Sequence, residues 1–281
     1  PCGYIMLAVK QITNLASHRV PCCASAKTQT RAYGASGKRI PVQTKDFFEA
    51  SPKLIEKRTA DSRLHYIFLE GLAGAGKGSL LERLQKIGYT TKTLPYVNFC
   101  SSMWHSTHFA PGSATVGMFW LSEWTKRLEL LEHGHRKGEQ HKDNVVFVQR
   151  SPLSLWVHDV TRMQPPSRTN VWLRVTDGLK GQFSCSTELC HSEDIKTKQR
   201  LAERMFWAEN EPKQIRVALH EDDEELQQLY MSKYQELEDK EWIDGRVATT
   251  SAKQAQAQIL TLYGLDNWAA FKDSLTNSNT L

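Results

Sequence analysis

Gly71, Gly74, Gly76, Lys77, Gly78 and Ser79 stand in the run Gly71-Leu72-Ala73-Gly74-Ala75-Gly76-Lys77-Gly78-Ser79. The spacing is that of a phosphate-binding loop. Its glycines let backbone N–H groups turn inward, and the lysine opens a helix whose positive N-terminal end faces the same hollow. The chemistry implied is capture of an anion, above all the phosphates of a nucleotide. One position departs from the usual pattern: the residue after the lysine is ordinarily Ser or Thr, whose hydroxyl helps to hold Mg²⁺. Here it is Gly78, and the first hydroxyl comes one place later, at Ser79.

Arg150 follows a continuous apolar run at 145–148, and Arg200 and Arg204 lie on a basic, amphipathic segment. All three are candidate phosphate or lid contacts; for Arg200 and Arg204 a solvated helix face is an equally good reading. Acids are scarce near the loop: between Glu82 and Glu123 there is none. His105 with His108, His133 with His135, and Cys185 with Cys190 and His191 each lack a matching second half, so no metal set is assigned. The six cysteines have no CxxC spacing, which reads as thiols inside a cell.

Strands and helices must alternate to position these residues. Residues 66–69 read as a short apolar strand entering the loop, and Leu80, Leu81, Leu84 and Ile87 repeat at helical spacing after it, with Gly88 as a C-terminal cap. Residues 90–97 have strand character. A helix is expected over 116–133, with Phe119, Trp120, Trp124, Leu128 and Leu131 on one side as core. The run 145–148 reads as a strand buried on both faces, which delivers Gln149, Arg150 and Ser151 to the edge where ligands sit in an open parallel sheet. A helix over 154–163 is then expected, a strand over 171–175, an inserted polar loop over 176–193, helices over 196–208 and 221–241, a last strand over 242–244, and a final helix opened by a capping box at Ser251. The alternation predicts a doubly wound α/β parallel sheet flanked by helices, of the P-loop NTPase type.

At 281 residues with 40% hydrophobic content, the chain can bury a full core. Its net charge of +5 is unevenly placed: the first 45 residues carry seven Lys and Arg and no acid. Such an arm reads as a mitochondrial transit segment or as a basic arm lying on RNA, acidic lipid or a partner protein. Three regions are expected: a basic arm and linker over 1–60, a P-loop domain over 61–268 and a polar tail over 269–281. No run approaches the length of a membrane helix.

The loop, the Gln149-Arg150-Ser151 strand end, Leu201-Ala202-Glu203-Arg204 and the Trp242-Ile243-Asp244 stretch, in this order, resemble the deoxynucleoside kinase and thymidylate kinase superfamily over roughly residues 63–265. The resemblance implies a bound ATP or other purine nucleotide, with or without Mg²⁺. It also implies a general-base glutamate after the second strand, where this chain has Leu94-Pro95-Tyr96-Val97. The superfamily's Glu-Arg-Ser reads Gln149-Arg150-Ser151 here, with the charge lost. The gap after this strand looks too short for an acceptor pocket, since only residues 152–170 precede the expected next strand. Gly directly after the lysine is shared with GKG-type nucleotide kinases and with the deoxynucleoside-kinase-like accessory subunits of respiratory complex I. The expectation is therefore a non-catalytic kinase-fold subunit of a large mitochondrial complex, complex I favoured, located in the matrix or on the matrix face of the inner membrane. Two alternatives stand beside it. One is an active nucleoside or nucleoside monophosphate kinase using Ser79 for the metal and Asp159 or Glu123 as base; the other is an assembly factor associated with the mitochondrial ribosome or RNA.

Overall fold

The structure, a computed structural model, describes residues 63–265 except 95, 97–98, 101, 104–112, 163–169, 194–196, 198, 203–220 and 222. The chain divides into two units, Pro1–Ser51 and Pro52–Leu281, and all described residues fall in the second. The expected basic arm and linker over 1–60 and the polar tail lie outside the described residues, as does most of the segment 196–208.

Strand β1 (His65–Glu70) leads through the glycine loop into α1 (Lys77–Lys86), followed by β2 (Thr90–Lys92), α2 (Ala114–Arg136), β3 (Val145–Gln149), α3 (Pro152–Arg162), α4 (Asn170–Gln182), β4 (Ser184–His191), α5 (Glu224–Asp239), β5 (Gly245–Ala248) and α6 (Ala252–Leu262). The five strands form one sheet in the order β2-β3-β1-β4-β5. Every pairing is parallel. β1 is central, which is why its residues are apolar on both sides: Tyr66 and Phe68 enter one core, Ile67 and Leu69 the other.

The first core packs Tyr66 and Phe68 with Val146 and Val148 of β3 against Trp120, Trp124, Trp156, Trp172, Tyr230 and Tyr234 from α2, α3, α4 and α5. Phe68 meets Trp124 at 5.3 Å between ring centres, and Trp120 stacks on Trp124 at 6.2 Å. The second core packs Ile67, Leu69 and Phe147 against Leu80, Leu81 and Leu84 of α1 and Ile259 and Leu260 of α6. Helices therefore cover both faces, as the alternating pattern predicts.

Local signals set several boundaries. Ser113 caps α2 by accepting from the Val116 N–H, Asp223 caps α5 from the Leu226 N–H, and Ser251 caps α6 from the Gln254 N–H. Gly88, at φ 97°, ends α1 with its N–H on the Gln85 carbonyl.

Five expectations are corrected. Residues 171–175 are not a strand but the start of α4: Trp172, Thr176 and Leu179 are buried at helical spacing, and this packing overrides the β-branched Val171 and Val175. The polar loop expected over 176–193 is instead the end of α4 followed by β4, which pairs with β1 and β5. Residues 242–244 are not the last strand; it begins at Gly245, and Asp244 instead accepts the Thr187 N–H at 2.7 Å. Because the strand after β3 is β4, two helices, α3 and α4, span the gap, which is longer than expected. β2 ends at Lys92, short of the expected 97.

Candidate functional site

The loop leaves the C-terminal end of β1 where the chain must turn sharply. Gly71 takes φ +120°, and a Cβ there would sit 2.3 Å from the Cys190 carbonyl oxygen of β4, so only glycine fits. Gly76, at φ 88° and ψ 5°, caps α1 in the left-handed conformation with no side chain on the freed N–H groups, and the helix has no acid in its first turn. The positive helix end is thus left for an anion. Lys77 is 4% exposed, and its Nζ donates to the carbonyls of Gly71 and Leu72, both at 2.6 Å. These bonds fold the lysine over the loop.

Two further side chains brace the loop from outside. Thr249, just past β5, hydrogen bonds through its hydroxyl to the Ala75 carbonyl. The Arg200 guanidinium donates to the carbonyl of Gly74 at 3.2 Å and to those of Thr249 and Thr250 at 3.1 and 3.2 Å. In this arrangement Arg200 ties the loop to the segment after β5, so its charge stands beside the phosphate hollow. Arg204 lies outside the described residues. Ser79 is exposed on α1.

At the end of β3, Arg150 adopts φ 68°, in the left-handed region that non-glycine residues seldom enter, while its N–H donates to the Leu69 carbonyl at 3.0 Å. Its Nη1 reaches the Ser154 hydroxyl at 3.1 Å. Beneath it, Glu70 is 0% exposed. One of its oxygens accepts from the Ser151 N–H and Ser151 hydroxyl, both at 2.6 Å; the other accepts from the Ser154 hydroxyl at 2.5 Å and the Tyr234 hydroxyl at 3.1 Å. Burial, then the Glu70 charge, pushes the Tyr234 hydroxyl well above the usual phenol range, so it stays a donor. This network fixes the turn that holds Arg150 in place.

Arg150, Ser154, Leu155, His158, Tyr96 and Trp120 line a pocket on the α2–α3 side of the sheet edge. Its wall is aromatic: Tyr96 lies edge-on to Trp120 at 5.9 Å and tilted on His158 at 5.8 Å, and His158 meets Tyr230 at 4.9 Å. Of the two acids considered as base, Asp159 is buried and accepts the Trp172 indole N–H, and Glu123 is paired with Arg127 along α2.

The residues do not fit the Mg²⁺ that such a loop ordinarily holds. The place after Lys77 has no hydroxyl, the strands flanking β1 end in Gln149 and His191, and Glu70 is sealed among four donors. Glu70, Thr249 and the pocket aromatics were not legible as site residues from sequence. The signal for Glu70 was an acid closing an otherwise apolar strand beside the first glycine; Thr249 and the rings carry no local signal.

A parallel sheet in the order β2-β3-β1-β4-β5, with a glycine loop and lysine passing from the central strand into a helix, defines an α/β fold of the P-loop NTPase type. No protein-family profile and no curated protein sequence matches the chain. Among solved structures it is similar to a deoxyadenosine kinase from M. mycoides with the products dCMP and a flexible dCDP bound, at 16% identity and a TM-score of 0.43, over 71% of this chain and 97% of that one. It is also similar to thymidylate kinase from Candida albicans, at 11% identity and a TM-score of 0.44 over 72% of this chain and 92% of that one. A third is the YorR protein from Bacillus subtilis in complex with phosphorylated GDP, at 15% identity and a TM-score of 0.38 over 71% and 95%.

Proposed function

We propose that the chain binds a purine nucleotide by its phosphates in the loop over 71–79, performs no phosphoryl transfer, and serves as a kinase-fold subunit of a large mitochondrial assembly, the complex I accessory type favoured. The observation that carries the non-catalytic reading is the contrast between the two halves of the site. The phosphate side keeps its glycines, its folded lysine and an uncapped helix end. The side beyond β3, where an acceptor would sit, is a small pocket lined by the rings of Tyr96, Trp120 and His158, with Gln149 in place of an acid. Phosphoryl transfer needs an acceptor hydroxyl held in line and a group to receive its proton. The mitochondrial setting is supported by the acid-free basic arm, whose partners on this reading are neighbouring subunits.

An active nucleoside or nucleotide kinase is the second reading, and one observation favours it: two helices, α3 and α4, lie between β3 and β4, with α3 lining the pocket, which leaves room for an acceptor. One experiment separates the two. Nucleotide binding is measured by calorimetry on the chain and on Lys77→Ala, followed by turnover with a panel of deoxynucleosides and nucleoside monophosphates. Binding that Lys77→Ala abolishes, with no turnover, is the expected result. Acceptor-dependent turnover above the Lys77→Ala background makes the chain a kinase.

A further inference from the structure

The loop's oxygen ligands are missing in a way that points to how its anion is neutralised. We infer that the site holds nucleotide phosphates without a divalent cation, using the backbone N–H groups, the end of α1 and the cations Lys77, Arg150 and Arg200 alone. This rests on the nucleotide-binding reading and specifies the ligand as the metal-free nucleotide.

A hard cation such as Mg²⁺ takes oxygen ligands at short, nearly octahedral distances, and in P-loop proteins the protein's share is a hydroxyl after the lysine and a carboxylate from a neighbouring strand. Among the described residues neither stands at its usual place, for separable reasons; Ser79, one residue further on, is exposed about 100° further round α1. Gly78 supplies no hydroxyl, although a Cβ built there meets nothing within 4 Å, so crowding does not impose the glycine. Gln149, at the end of β3 in register with Leu69 of β1, supplies an amide where a carboxylate would stand. On the other flank β4 ends in His191, whose pKa is lowered chiefly by burial and then by Arg246; a neutral imidazole is a poor ligand for Mg²⁺. Glu70 could reach the cation only by giving up its bonds to Ser151, Ser154 and Tyr234, which hold the Arg150 turn. Positive charge, by contrast, is plentiful: Lys77 lies over the loop, Arg200 is anchored on the Gly74 carbonyl, and Arg150 stands at the end of the adjacent strand.

The test is calorimetric titration of the full chain with ATP and with ADP, once in excess EDTA and once in millimolar Mg²⁺, alongside the double variant Gly78→Ser/Gln149→Glu, whose thermal melt first establishes that it folds. For the wild-type chain the two dissociation constants are expected to agree within about threefold. The double variant is expected to bind about tenfold or more tightly with Mg²⁺ than without. Wild-type binding that Mg²⁺ tightens tenfold overturns this inference and leaves the nucleotide reading standing. A folded double variant indifferent to Mg²⁺ overturns the assignment of the loss to these two positions. No binding of either nucleotide in any condition overturns the nucleotide reading itself, and this inference with it.

Discussion

Glu70 and Glu188 lie on paired strands and point into opposite cores, each about 1% exposed or less. Glu70 takes four donors and is stabilised by them. Its replacement by Gln turns an amide N–H₂ toward donors and is expected to cost about 2–4 kcal/mol of stability by urea unfolding, whereas Tyr234→Phe, which removes the long contacts to Glu70 at 3.1 Å and Ser154 at 3.4 Å, is expected to cost about 1 kcal/mol. Glu188 receives the Tyr263 hydroxyl on one oxygen, while the other has no hydrogen-bond partner among the described residues. Burial raises its pKa from 4.5 to about 8, with the Tyr263 bond opposing and Asp244 assisting. The folded chain therefore keeps this proton when the unfolded chain has released it, so stability falls as pH rises from about 4.5 to about 8 and levels off above. Glu188→Gln is expected to flatten the melting temperature over that window; an unchanged slope would mean that other groups set it.

Element by element, the parts of the fold that were legible were those in which local pattern and burial agree. β1, β3, α1, α2 and the capped α6 each have an apolar period that matches their structure, except that Phe119, expected in the α2 core stripe, is 48% exposed beside the buried Trp120; the phosphate side of the site could therefore be read directly. β4 could not. Its residues Ser186, Thr187 and Glu188 are buried within the sheet, and their polar groups are met by distant partners, His65, Asp244 and Tyr263. A strand satisfied by tertiary contacts looks like a loop in sequence. α4 failed for the opposite reason, since its β-branched positions outweigh its helical spacing over a short window. The glycines of the loop differ in the same way: Gly71→Ala, which meets the Cys190 carbonyl at φ +120°, is expected to lose about 2–4 kcal/mol and nucleotide binding together. Gly78→Ala enters open space on a helix and is expected to gain about 0.5 kcal/mol. Paired denaturation curves of the two variants check this.

At the scale of the whole P-loop unit, a ligand that binds only the folded chain stabilises all of it. ATP at a hundred times its dissociation constant is expected to add about 2.7 kcal/mol, read as an upward shift in the thermal melt that Lys77→Ala removes. The strand order, hidden from any local window, becomes visible only once β4 is recognised, because β4 joins β5 to the centre. That order also sets a schedule. The loop over 71–79 is among the first described segments to leave the ribosome, yet two of its carbonyls are held by Arg200 and Thr249. Domains synthesised from the N-terminus wait for contacts that arrive late. A nascent or prematurely ended chain lacking the residues after β5 carries the glycine loop without the Thr249 brace and with Arg200 cut off from its anchors on the Thr249 and Thr250 carbonyls, so the anion hollow is fully set only as synthesis nears its end.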